Sequence, residues 1–143
     1  MPLGVSYVEP SWFDRRIVSR LPFAARLMSR LTGDAILRIR GRRSGVPRTT
    51  LARLITVGQA RYVVSIRGET QWARNLRAAA EAMLTEKGGR TSRIRAVEVD
   101  GEERHAVVAA FLASSNFAET RRIMSEMLPA AEQHPVFRIE PQP

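Results

Sequence analysis

The sequence predicts one α+β domain that is mainly β: a small antiparallel barrel with peripheral helices. Its 143 residues suit a single compact unit, since domains typically run to roughly 100–150 residues. Several short stretches after residue 34 are strand-like, some alternating apolar with polar side chains, and tight glycine turns separate them. Helical spacing appears once between these strands and twice after them, with no repeat, low-complexity tract or linker, which suggests a closed sheet with helices around it.

The chain divides into an N-terminal amphipathic segment, 1–34, and the barrel domain, 35–143. Residues 11–32 read as helix. Ser11 is a plausible N-cap with Asp14 three positions later. Phe13, Ile17, Leu21, Ala24, Met28 and Leu31 follow at three- and four-residue steps. Pro22 breaks this helix in two, because it lacks the amide hydrogen a helix interior needs, and Thr32-Gly33 stops it. Arg15, Arg16, Arg20, Arg26 and Arg30 make the segment basic. A helix packed on the sheet with its arginines in water is the plainer reading; a helix lying on an anionic membrane or covering a ligand cleft is the other.

Ala35–Arg40 alternates as a strand, with Leu37 and Ile39 on one face and Arg38 and Arg40 on the other. Gly41–Pro47 is a turn, Arg48–Val57 one longer strand, Gly58-Gln59 a tight reversal, and Arg61–Ile66 a strand rich in β-formers. Thr70–Glu81 switches to helix, with no internal Gly or Pro from Ala73 to Ala82. Ala82–Lys87, Gly88-Gly89 and Arg90–Val99 form a hairpin. Two helices follow, Glu102–Ala113 and Asn116–Leu128, the second closed by Pro129. Val136–Ile139 is a short final strand.

Hydrophobic residues make up 44% of the chain and charged residues 26%, which excludes wholesale disorder. No apolar run approaches the roughly 20 residues of a membrane-spanning helix, no signal-peptide pattern opens the chain, and cysteine is absent; the default address is the cytosol. Net charge is +9, and 22 of the 23 basic residues are arginine. Residues 1–95 hold 19 basic and 6 acidic groups, whereas 96–143 hold 4 and 8. The first two-thirds therefore suit an anionic partner: nucleic acid, a lipid surface, or a phosphorylated or carboxylated small molecule. Nucleic acid is the weakest of the three, because base stacking needs surface aromatics and most of the nine aromatics fall at core positions.

Conventional catalytic constellations are missing. His105 and His134 are the only histidines, and neither sits in a metal-spaced cluster. There is no Gly-x-Ser-x-Gly, Walker loop or Gly-x-Gly-x-x-Gly, so any redox or transfer chemistry needs a bound cofactor. Two stretches are candidates for holding one. In Gly41-Arg42-Arg43-Ser44-Gly45-Val46-Pro47-Arg48-Thr49-Thr50, two glycines permit a turn whose amides face one anion. Arg42, Arg43 and Arg48 bring three guanidinium groups to it, with the hydroxyls of Ser44 and Thr50 beside them. A solvated basic hairpin explains the same residues. In Ser65-Ile66-Arg67-Gly68-Glu69-Thr70-Gln71-Trp72-Ala73-Arg74-Asn75-Leu76, a strand end leads through a glycine loop into a helix N-terminus, a second anion site. Trp72 and Asn75 lie three residues apart on one side of that helix and offer a flat apolar wall and an amide; Trp72 as simple core is the alternative.

Together, "LRIRGRRSGVPRTTLARL", "YVVSIRGETQWARNLRA", the Gly-Gly hairpin and "HPVFRIEP" resemble, in that order, the deazaflavin-dependent nitroreductase family over roughly residues 35–141. The resemblance implies a split β-barrel related to pyridoxamine-phosphate-oxidase-like and FMN-binding folds. It also implies coenzyme F420, an 8-hydroxy-5-deazaflavin, as hydride donor to a small hydrophobic or planar acceptor. By the same resemblance Arg42, Arg43, Ser44 and Arg48 meet the phosphate and glutamate tail, Thr50 and Ser65 lie near the ring or ribityl chain, and Trp72 and Asn75 match the Trp-x-x-Asn-Leu helix start that closes over the cofactor. The loop after Ser65 is shorter than the family pattern, Arg43 stands where lysine is common, and Asn116–Leu128 carries Phe117 but no tyrosine. The tyrosines are Tyr7 and Tyr62, and no proton donor is nominated. Related barrels often pair, which makes a homodimer a candidate assembly. The alternatives are an FMN-binding split barrel and a non-catalytic protein of anionic membrane surfaces.

Overall fold

The computed structural model describes residues 34–115 and 118–142. The expected N-terminal segment 1–34, with its helix over 11–32, lies outside the described residues except for Asp34, as do Tyr7, Asn116 and Phe117.

Seven strands form one antiparallel sheet: β1 (Ala35–Arg40), β2 (Pro47–Ala52), β3 (Leu54–Val57), β4 (Ala60–Val64), β5 (Glu81–Thr85), β6 (Thr91–Val99) and β7 (Val136–Pro141). Their order across the sheet is β2-β1-β5-β6-β7-β4-β3. The edge strands β2 and β3 are consecutive in sequence, with Arg53 alone between them. One residue spans only ~3.5 Å, so the two edges must approach each other and the sheet must curl into a half-barrel. The single strand expected over 48–57 is therefore two strands, because the chain changes edges at Arg53. The side chain there is held by Asp34 (Nε to Oδ1, 3.3 Å) and stacks over Phe111, 5.6 Å from the ring centre.

The curl produces two apolar faces. Leu37, Ile39, Val63, Leu84, Ile94 and Phe137 belong to one buried cluster drawn from strands across the whole sheet, which only the inside of the curl allows. Helix α1 (Gln71–Ala79) contributes Ala73 and Leu76 to it, with Trp72 packed alongside. On the outside, Tyr62, Val64, Val99 and Val136 are covered by Val107, Val108 and Phe111 of helix α2 (Gly101–Ser114) and by Met124.

Local chemistry explains the element ends. Thr70 caps α1 by accepting the amide of Ala73. The helix stops before the expected Glu81, because Ala80 adopts a left-handed conformation (φ 59°) and Glu81 starts β5. The β5–β6 hairpin turns at Gly88-Gly89, both at positive φ. The helix expected over 116–128 is a short α3 (Ala118–Arg122) running into a π-helical turn, Ile123–Met127. The expected strands 35–40 and 136–139 appear as β1 and, two residues longer, β7.

Candidate functional site

The β1–β2 turn closes on itself. Gly41 donates its amide to the Val46 carbonyl (2.9 Å), Gly45 donates to that of Gly41 (3.0 Å), and the Ser44 hydroxyl accepts the Val46 amide (3.1 Å). Gly45 sits at φ 73°, where a side chain is disfavoured. A Cβ at Gly41 would approach Ser44 Oγ and the Val46 carbonyl to 3.0 Å, so a side chain there would have to displace the turn's own atoms.

The turn is fastened to α1 through Arg42. Its backbone amide and Nη1 both donate to Asn75 Oδ1, at 3.1 and 2.8 Å, and Nη2 donates to Gln71 Oε1 at 2.9 Å. Asn75 is buried. Its carbonyl oxygen thus holds the half-exposed Arg42 from the protein side, which makes Asn75 the residue that places Arg42. Gln71 is the partner that the sequence reading omitted. Its signal was available, since residues 71 and 75 share a helix face at i, i+4 spacing.

Strand register places the next candidates. Arg48 lies opposite Ile39 and Thr50 opposite Leu37, so both project from the inner face of β2, the side on which Trp72 packs. Arg48 is exposed and Thr50 is half-buried. Trp72 is also half-buried, with its ring 6.4 Å from that of Phe137 at 47°. It is partly core, as the plainer reading held, and keeps some exposed surface.

Ser65 is fully buried. Its hydroxyl donates to the Gly68 carbonyl (2.5 Å) and, with its hydrogen so committed, accepts from the Thr70 hydroxyl (2.9 Å). Thr70 in turn accepts the Ala73 amide (3.2 Å). Ser65 therefore shapes the loop that starts α1 from beneath rather than from its surface. The structure brings Arg42, Arg43, Ser44, Arg48 and Thr50 onto one hairpin, ties it to α1 through Asn75, and sets Ser65 at the root of the neighbouring loop.

The electrostatics are lopsided. Between Asp34 and Glu69 the chain carries eight arginines (38, 40, 42, 43, 48, 53, 61 and 67) and no acidic residue. Arg53, Arg61 and Arg67 pair with Asp34, Glu86 and Glu119. Among the described residues, no carboxylate pairs with Arg38, Arg40, Arg42, Arg43 or Arg48. Glu69, at the foot of α1, is already engaged by Arg77 (2.8 Å) and Arg74 (3.8 Å), and Arg77 also binds Glu98 (2.7 Å). The hydrogen bond from Arg77 holds the Glu69 carboxyl below its ordinary range, and Glu98 with Glu69 pushes Arg77 further up. Among the described residues, the hairpin cations have only neutral partners. Clustered like charges are unfavourable, and an anion between them removes that cost.

On the outer face, the Tyr62 hydroxyl donates to Glu103 (2.8 Å), a carboxylate that also accepts from Arg138 (2.9 Å). The hydrogen bond to Glu103 raises the Tyr62 phenol. This cluster ties α2 to β4 and β7, away from the arginine hairpin. Among the described residues, no group of His, Cys, Asp and Glu could hold a metal ion and no helix is long and apolar enough to cross a membrane.

A profile of the family described as F420H(2)-dependent quinone reductase matches residues 15–130. Among solved structures, an F420-H2 dependent reductase (FDR-A) is 22% identical with a TM-score of 0.54, covering 76% of this chain and 94% of its own. HutZ, the haem storage protein of Vibrio cholerae, is 15% identical with a TM-score of 0.56, covering 85% and 88%. A domain-swapped dimer is 21% identical with a TM-score of 0.54, covering 76% and 80%. These likenesses show the split-barrel fold. No curated protein matches the chain.

Proposed function

The chain belongs to the F420H2-dependent quinone reductase family, and from that premise we propose that the arginine hairpin and the loop opening α1 hold the coenzyme for hydride transfer to a small planar or hydrophobic acceptor. The family makes the protein an F420H2-dependent oxidoreductase with coenzyme F420 as its cofactor; the residues and the acceptor class are the proposal. The observation that carries it is the group of hairpin arginines without a carboxylate partner among the described residues, on a turn tied through Arg42 to the helix that carries the half-buried Trp72. That combination fits a molecule that is polyanionic at one end and flat and apolar at the other.

When bound, the coenzyme supplies the hydride; the protein's own groups bind, orient and exclude water. Arg43 and Arg48, exposed on either side of Gly45, neutralise phosphate or carboxylate. Arg42 is aimed by Asn75 and Gln71, and its remaining N–H groups, which have no other partner among the described residues, donate to the same anion. Ser44 keeps its O–H as a donor while its oxygen holds the turn. Thr50 offers a half-buried hydroxyl on the inner face, and Trp72 offers an apolar wall. Ser65 and Asn75 act as positioning residues, one through Thr70 and the other through Arg42.

Pairing of two copies is supported by the likeness to a domain-swapped dimer. The arginines that suggest an anionic membrane surface, Arg15 to Arg30, lie outside the described residues.

Titration of purified protein into oxidised F420, followed by the coenzyme's fluorescence, tests the reading. Saturable binding that weakens with salt and with Arg43→Ala and Arg48→Ala is expected. Absence of binding removes the proposal, and preference for FMN redirects it to a flavin-using barrel.

A further inference from the structure

His134 connects the proposed site to the C-terminal helical segment. Its ring is fully buried. Nδ1 lies 3.1 Å from the backbone oxygen of Ser65, and Nε2 lies 2.8 Å from that of Leu128. Both partners are acceptors. A neutral imidazole has one N–H and serves one of them, whereas the doubly protonated ring serves both.

The two carbonyls belong to different parts of the chain. Ser65 opens the loop that leads into α1. Leu128 ends the π-helical turn, where helix carbonyls lack internal donors. The same two segments meet again at Arg67 and Glu119, 3.2 Å apart. The charged and titratable groups on the surrounding elements are Arg67 and Glu69 of the loop, Glu119, Arg121, Arg122 and Glu126 of the C-terminal segment, Glu102, Glu103, Arg104 and His105 of α2, Glu132 in the turn before β7, Arg61 and Tyr62 of β4, and Arg138 and Glu140 of β7. Among the described residues none of them bonds to the ring: Arg104 donates to the Val99 and Glu132 carbonyls, and His105 pairs with Glu132.

We propose that His134 is a positioning residue for the coenzyme loop, a proton-dependent clasp that holds residues 65–70 against 118–128 more firmly when its ring carries both protons. The inference rests on the assignment of that loop to the coenzyme site. The route is continuous. His134 and the Gly68 amide both reach the Ser65 carbonyl, the Ser65 hydroxyl fixes Gly68 and Thr70, Thr70 caps α1, and α1 carries the Gln71 and Asn75 that aim Arg42. Loss of one ring proton leaves a buried carbonyl facing a bare nitrogen, an arrangement that favours loop opening.

The test uses the full chain, first without coenzyme. Ring nitrogen resonances of His134 and hydrogen exchange at the Gly68 and Thr70 amides are followed from about pH 8.5 to about pH 5.5, the range in which histidines change charge. Amide protection, corrected for intrinsic exchange, is expected to rise about tenfold as the second ring N–H appears, the equivalent of one charge-assisted hydrogen bond. F420 affinity is expected to rise over the same range. His134→Gln is expected to abolish the dependence, and His105→Asn to keep it. A ring that holds one N–H, or two, over the whole range overturns the clasp, as does protection that ignores the ring's protonation. Protection that follows the ring while F420 affinity stays flat keeps the clasp and overturns the assignment of the loop to the coenzyme.

Discussion

Asn75→Ala separates a residue that touches the coenzyme from one that places Arg42. In the structure its Oδ1 accepts two hydrogen bonds, one from the Arg42 backbone amide and one from the guanidinium. A neutral bond contributes about 1 kcal/mol net and one from a charged donor about 1.5–3 kcal/mol. The guanidinium is half-exposed and still held by Gln71, so water recovers part of the second contribution. Asn75→Ala is therefore expected to lower unfolding free energy by about 2 kcal/mol and to weaken F420 binding about tenfold, or ~1.4 kcal/mol. In an Arg42→Ala background only the backbone bond remains to be lost, and the second substitution costs about 1 kcal/mol in stability and little in affinity. Urea unfolding and F420 fluorescence titration on the wild type, both single variants and the double variant close the cycle. The expected coupling in affinity is about 1 kcal/mol. Additivity within about 0.5 kcal/mol would mean that Asn75 acts on the coenzyme independently of Arg42, and would refute the positioning role.

Arg43→Ala with Arg48→Ala removes two exposed cations that have no carboxylate partner among the described residues. Stability is expected to change by less than about 0.5 kcal/mol, while F420 affinity falls by about 1.5–3 kcal/mol per lost charged contact and its salt dependence flattens. Ser65→Ala takes one of the two donors from the Gly68 carbonyl, which keeps the Thr70 amide, and leaves the buried Thr70 hydroxyl without its acceptor, so a loss of about 1–3 kcal/mol and a lower melting temperature are expected in calorimetry. Glu69 is held below the ordinary carboxylate range mainly by Arg77. Its contribution is therefore complete above that range and lost as pH falls through the lowered value. Glu69→Gln is accordingly expected to be less stable than wild type near neutral pH, with the gap closing as pH falls below the ordinary carboxylate range in urea unfolding.

Most of the barrel's elements were legible in the sequence, because their causes are local. Leu37 and Ile39 alternate with Arg38 and Arg40, Gly88-Gly89 supplies the positive φ its hairpin needs, and Thr70 precedes a run of helix formers. The arginine cluster around Gly45 was equally visible, since charge and glycine spacing are properties of a short stretch. What only the tertiary structure decided is where the chain meets distant parts of itself. Arg48–Val57 read as one strand; the curl of the sheet split it at Arg53 and sent its halves to opposite edges. Asn75 and Trp72 look alike as candidate ligand contacts on one helix, yet Asn75 turned inward to a cation 33 residues away and Trp72 came to rest on Phe137. His134 carried no local signal, because its partner at Ser65 lies 69 residues upstream. Backbone preference and patterning act over a few residues. The partner of a buried polar group is selected by whichever donors and acceptors the closed barrel brings within about 3 Å, and that choice exists only once the sheet has curled.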